Sequence, residues 1–254
     1  ATKPGKDSHS WLGRLNNIRT ALQGQQGDRR LRLGIAGGEW KKMMADATAR
    51  TRFASEVKKI IEQYDFDGVD FDFEWPTNAS EYNNYSATVI QMRSTLGKYV
   101  YFTASLHPVS FKISPEAIDA LDFISYQCYG PAVMRFPYEQ FVKDGEVAVA
   151  YGIPKNKLVM GVPFYGSTGS LIAAYCDFVN DGLATTNEDT YTYKGNTYTF
   201  NSIETIRKKA RYVCEEDYAG IMSWDLATDI DITNNKSLLK VIKEEFEYYA
   251  NPTE

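Results

Sequence analysis

Asp67-Gly68-Val69-Asp70-Phe71-Asp72-Phe73-Glu74 is the stretch that decides the fold. Acidic and apolar residues alternate from Val69 to Glu74, which is the two-residue period of a β-strand. Asp70, Asp72 and Glu74 then share one face, about 7 Å apart along the strand. Val69, Phe71 and Phe73 share the other face and can pack under helices. Carboxylates crowded along so apolar a strand repel one another, so stability does not recommend them. One proton tends to be shared and at least one pKa rises, the condition for a general acid at neutral pH. Glu74 closes the run beside Trp75-Pro76 and is the candidate proton donor. Two plainer readings compete, a calcium loop and a solvated acidic face. Calcium loops separate their acids with Gly, Asn or Ser, whereas the spacers here are Val and Phe. The solvated face stays open on the residues alone.

Outward from this strand, the chain alternates short apolar runs with helical stripes. Strands are predicted at Leu31–Ala36, Gly68–Phe73, Val100–Leu106, Phe123–Tyr129, Leu158–Val162 and Gly220–Trp224. Helical spacing marks Trp11–Leu22, Ser55–Tyr64, Tyr82–Leu96, Tyr138–Tyr151, Ile203–Val213 and Leu238–Tyr248. Such alternation implies an α/β fold, a parallel sheet with helices outside. The segment between Pro163 and Ser202 breaks the rhythm: alternating runs flank Lys194-Gly195-Asn196 and read as a β-hairpin. We take residues 1–254 as a single domain with a small insertion at 167–201. The six strands fall two short of a closed eight-stranded barrel. Either the sheet is open or two βα units lie outside this sequence, and an open edge at Leu31–Ala36 is an aggregation hazard.

Bulk properties narrow the function. The net charge of −5 argues against nucleic acid or an anionic membrane surface as partner. No apolar run approaches the ~20 residues of a membrane span, and no signal peptide opens the chain. Three cysteines without a Cys-x-x-Cys spacing suggest neither a disulfide framework nor a zinc site. With His9 and His107 the only histidines, a His-rich metal site is excluded and a Ser-His-Asp triad disfavoured. No metal or cofactor is expected. Aromatic residues make up 14% of the chain; they suit stacking on sugar rings, although a packed core uses them equally.

The complete Asp-Gly-x-Asp-x-Asp-x-Glu run at Asp67–Glu74 resembles the fourth-strand signature of glycoside hydrolase family 18, the chitinases and endo-β-N-acetylglucosaminidases. Leu33–Trp40, Ile124–Gly130, Met160–Gly166 and Gly220–Trp224 resemble that family's third, sixth, seventh and eighth strands in order. The resemblance implies a TIM (β/α)8 barrel, here without its first two βα units. It implies a retaining, substrate-assisted hydrolysis of β-1,4 bonds next to N-acetylglucosamine, a mechanism that departs from the usual two-carboxylate scheme. Glu74 would be acid and base, Asp72 the partner of the substrate's acetamido group, and Asp70 the modulator of Asp72. Tyr126 would bind the acetamido carbonyl and Trp224 would floor the site. Gln127 and Tyr165 would contribute to the cleft, Trp40 and Trp75 would either line it or cap the barrel rim, and His107 would sit on its rim. Gln127 stands where the family often has Asp, so an acidic contribution is lost there, and Ser167 stands where Arg is frequent. The resemblance further implies an N-acetylglucosamine-containing glycan as partner, a monomer, and a secreted, periplasmic or cell-surface location. A non-catalytic lectin is the competing class; lectins of this family typically lack the proton donor, and Glu74 is present.

Overall fold

The computed structural model describes residues 10–23, 29–130, 133–184 and 187–251. Helix α1 (Trp11–Leu22) precedes β1 (Arg32–Ala36), α2 (Trp40–Ala45), α3 (Ala47–Tyr64) and β2 (Gly68–Asp72). Then come α4 (Ala79–Leu96), β3 (Tyr101–Leu106), α5 (Pro115–Ala120), β4 (Phe123–Tyr126), α6 (Tyr138–Tyr151) and β5 (Leu158–Pro163). An antiparallel excursion contains β6 (Tyr165–Ser167), β7 (Ile172–Ala174), α7 (Tyr175–Asn180), β8 (Thr190–Tyr193) and β9 (Asn196–Thr199). Finally α8 (Ile203–Glu215), β10 (Gly220–Trp224) and α9 (Leu238–Ala250) complete the pattern.

The six predicted strands form one parallel sheet in the order β1-β2-β3-β4-β5-β10. All their C-termini therefore lie at one end, where βα loops carry function. Among the described residues the sheet does not close into a barrel, and β1 and β10 are its edges. Alternation on β2 sorts as its sequence requires. Val69, Phe71 and Phe73 are buried under the helices, with Phe71 against Phe53 of α3 and Phe102 of β3. Gly68 is dictated by closeness: a Cβ there would lie 2.1 Å from the Tyr101 carbonyl oxygen.

Helix ends follow capping chemistry. Asp46, Asn78, Ser114, Ser202 and Ser237 each accept a backbone N–H of the helix they begin.

The hairpin is found, with Lys194 and Gly195 both at positive φ (48° and 76°), the signature of a two-residue type I′ turn. It belongs to a larger unit than the sequence indicated, a four-stranded sheet in the order β7-β6-β9-β8. Phe178 of α7 fills its centre, 5.4–5.7 Å from the rings of Tyr191, Tyr193, Tyr198 and Phe200. Lys209 of α8 fastens this unit to the main body. It is fully buried, and its Nζ donates to the Phe136 carbonyl and to Asn201 Oδ1, both at 2.7 Å. Burial pulls its pKa down to about 7.

Candidate active site

A cavity of about 240 Å³ opens at the C-terminal end of the parallel sheet. Asp72, Glu74, Trp75, His107, Gln127, Tyr129, Gly130, Tyr165 and Trp224 line it. Six of the nine residues expected at the site thus meet in one place: Glu74, Asp72, Gln127, Tyr165, Trp75 and Trp224. Asp70 lies one step deeper on the same face of β2, where it accepts from Ser105 Oγ at 2.9 Å and from Thr103 Oγ1.

The carboxylates differ in setting. Glu74 lies just past the end of β2 and is exposed. Asp72 is half-buried, and its pKa rises from 3.8 to about 6, first through burial, then through the charges of Glu74 and Asp70. Burial likewise pushes Asp70 up, against the pull of Thr103, Arg32 and Ser105. Gln127 partly offsets the crowding, since its Nε2 donates to Asp72 Oδ1 at 3.2 Å and to Glu74 Oε1 at 3.0 Å. One neutral amide thus bridges two acids. A carboxylate at this position could not do so, because it has no hydrogen to give when ionised. Gln127 Oε1 and Trp75 Nε1 are buried without a hydrogen-bond partner, which leaves an acceptor and a donor in the cavity wall.

Two expected residues are not in the cavity. Tyr126 is fully buried, its ring edge-on to Phe111 at 5.8 Å and its hydroxyl without a partner. The cause is strand parity. Gln127 turns inward at the end of β4, so its neighbour Tyr126 falls on the outer face. Tyr129, two residues beyond Gln127, is the tyrosine that lines the cavity. The charges of Asp72 and Glu74 act on it, and its hydroxyl touches Met222 Sδ at 3.4 Å. Counting in twos from Gln127 is the signal that could have found it. Trp40 is buried in the core against Phe73 and Tyr85. Gly37 and Gly38, with φ of 72° and 77°, form the turn between β1 and α2 that precedes Trp40.

His107 contributes more than a rim. It is buried and stacks on Trp75 with ring centroids 4.6 Å apart. Its Nδ1 accepts the Val109 N–H at 3.2 Å, and its Nε2 faces the carbonyls of Tyr129 and Gly130 at 3.1 and 2.7 Å. Two acceptors require that Nε2 carry the hydrogen, and burial lowers the ring's pKa. The neutral Nε2–H tautomer therefore pins the loop after β4 to the end of β3. Ser110 extends the clamp by donating to the Pro76 carbonyl at 2.7 Å. Gly130 (φ 42°) allows Tyr165 to close in, since a Cβ there would meet the Tyr165 hydroxyl at 3.0 Å. Trp224, at the end of β10, remains 54% exposed, a broad apolar ring offered at the cavity edge. Among the described residues no group of His, Cys, Asp or Glu is arranged to hold a metal ion.

Six parallel strands flanked by helices, with a row of acids along β2 and just past its C-terminal end, fit an α/β-barrel-like fold whose barrel is not closed among the described residues. The family model of glycosyl hydrolases family 18 matches residues 6–229, and the chain belongs to that family. Probable chitinase 2 of Drosophila melanogaster is 24% identical over 290 residues, covering 85% of this chain and 60% of that protein. The chain thus spans about 60% of that relative's length. A solved chitinase from Bacteroides thetaiotaomicron superposes with a TM-score of 0.78 at 23% identity, covering 94% of this chain and 82% of its own. A chitinase-like agglutinin from Robinia pseudoacacia superposes with a TM-score of 0.75 at 18% identity, covering 91% and 84%. At these identities the superpositions speak for the fold.

Proposed function

We propose that this protein is a retaining glycosidase that cleaves β-1,4 bonds beside N-acetylglucosamine in chitin-like oligomers, with Glu74 as acid and base. One observation carries this reading. The acids lining the cavity, Asp72 and Glu74, stand on the same run of chain and share one Gln127 amide. A two-carboxylate retaining mechanism needs a nucleophile across the sugar from the acid, and Asp72 is not across. A nucleophile carried by the substrate, its 2-acetamido group, fits the arrangement.

In this mechanism Glu74 gives its proton to the glycosidic oxygen as the C–O bond breaks. The acetamido carbonyl oxygen bonds to the anomeric carbon and forms an oxazolinium ion. Asp72 accepts the acetamido N–H and faces the positive charge, an electrostatic contribution realised in the transition state. Tyr129, rather than Tyr126, donates its hydroxyl to the acetamido carbonyl. Trp224 supplies the stacking floor. Water then adds to the anomeric carbon as its bond to the acetamido oxygen breaks, the water's proton passes to the Glu74 carboxylate, and the acetamido group is restored with configuration retained.

The test is Glu74→Gln against a β-1,4-linked tetramer of N-acetylglucosamine. Turnover is expected to fall by ~10²–10⁴-fold, the usual contribution of a general acid, while calorimetric binding persists. Unchanged turnover overturns the assignment. The likeness to the Robinia agglutinin supports a second reading, a glycan-binding protein. Binding heat without products from the unaltered protein selects it. Products from an N-glycan core but not from the tetramer select the endo-β-N-acetylglucosaminidase variant of the first reading.

A further inference from the structure

Arg32 lies on β1 opposite Gly68, and its guanidinium reaches Asp70 from the side. Its Nη1 is 3.4 Å from Asp70 Oδ1 and also donates to Thr103 Oγ1. Thr103 Oγ1 in turn donates to Asp70 Oδ1. The direction of this relay is fixed by chemistry. Arginine keeps its protons at every accessible pH and can only donate. Thr103 therefore spends a lone pair on Arg32, and its single hydrogen is left to give. The alternative acceptor for that hydrogen, the Val69 carbonyl, lies at 3.5 Å. Ser105 Oγ donates to the second oxygen, Asp70 Oδ2, at 2.9 Å. Asp70 is thus met by donors on both oxygens, the environment of an ionised carboxylate.

We infer that Arg32 is a positioning residue for the catalytic acids: through Thr103 it holds Asp70 as the anion beneath the two acids that face the substrate. This deepens the proposed glycosidase reading and rests on it. Facing Asp70 are the charges of Arg32 from β1 and of Asp72 from its own strand. Thr103 and Ser105 of β3 are uncharged. Tyr85 of α4, within the field of Asp70 and Asp72, stays a neutral phenol because burial drives its pKa far up. The face of Phe123 lies 4.7 Å from the Arg32 guanidinium carbon and helps hold it in place.

The test compares Arg32→Gln, Arg32→Lys and Thr103→Val. Asp70 is followed in the free protein by the carboxyl ¹³C resonance of labelled aspartate, assigned by its loss in Asp70→Asn. Removing the cation in Arg32→Gln is expected to move the Asp70 midpoint upward by about 1 pH unit or more. Arg32→Lys, which keeps a charge, moves it less than half as far, and Thr103→Val moves it upward with Arg32 intact. The pH dependence of kcat/KM on the N-acetylglucosamine tetramer changes in Arg32→Gln and returns toward that of the unaltered protein in Arg32→Lys. An unmoved Asp70 midpoint, or equal movement in the Gln and Lys variants, overturns the inference. A shifted midpoint in a protein that turns over no glycan upholds the assignment for Asp70 and sinks the glycosidase reading instead.

Discussion

Replacing Asp72 by Asn is expected to make the protein more stable above neutral pH and less active. Asp72 is held between Asp70 and Glu74 and is half-buried, and its pKa climbs from 3.8 to about 6. A raised carboxylate pKa means that the folded chain keeps a proton the unfolded chain has released. This residue's contribution to stability therefore falls as pH rises from about 4 to about 6, and stays lowered above that window. The gap corresponds to about 3 kcal/mol at ~1.36 kcal/mol per pH unit. Water still reaches the carboxylate, and screening reduces that to about 1–2 kcal/mol. Asn keeps the Oδ1 acceptor that Gln127 uses at 3.2 Å and removes the charge. Urea denaturation followed by circular dichroism at pH 8 should show the Asn variant more stable by that amount. For a chain of this size the melting temperature rises by ~2–8 °C. At pH 4 the two proteins should converge, because Asp72 in the folded wild type is then already neutral. A gain of equal size at both pH values would mean better packing rather than relieved repulsion. An Asn variant no more stable at pH 8 would refute the electrostatic reasoning outright.

Three other substitutions separate the roles of neighbouring groups. Tyr129→Phe should lower kcat by ~10–100-fold on the N-acetylglucosamine tetramer, the effect of losing one preorganised donor to developing charge, with little change in the urea midpoint. Tyr126→Phe should leave kcat unchanged and stabilise the fold by up to ~1 kcal/mol, because it deletes a buried hydroxyl that has no partner; a kcat loss comparable to that of Tyr129→Phe would reverse the assignment. Gly68→Ala should destabilise the protein by ~3 kcal/mol or more, since its Cβ would collide with the Tyr101 carbonyl within the β2–β3 ladder, and an unchanged urea midpoint would contradict that packing.

What the sequence disclosed follows from the range of the forces involved. The β2 acid row was legible because strand parity is local: each side chain's face depends on its immediate neighbours. The six parallel strands were legible from strand–helix alternation, and their order followed from the family resemblance. Tyr126 was misplaced because two tyrosines three residues apart, Tyr126 and Tyr129, belong to opposite faces. Choosing between them required knowing that Gln127 points inward, and the bonds that show it come from Asp72 and Glu74, more than fifty positions away. Trp40 was misplaced because two glycines at positive φ redirect the chain, and a glycine pair does not announce which way it turns. Arg32 and Lys209 escaped notice altogether. Each reads as an ordinary surface cation, and only long-range packing against Asp70, or against Phe136 and Asn201, gives it a task.

The imidazole of His107 has a further consequence. It joins the loop after β2, through Trp75, to the loop after β4, through the carbonyls of Tyr129 and Gly130. Three consecutive strand ends at the mouth of the cleft, those of β2, β3 and β4, are therefore tied to one ring. Under the proposed function, widening this side of the mouth for a bulky sugar would mean moving the three loops together. Size selection of the proposed glycan on this side would then belong to that rim, set before any of its hydroxyls is recognised.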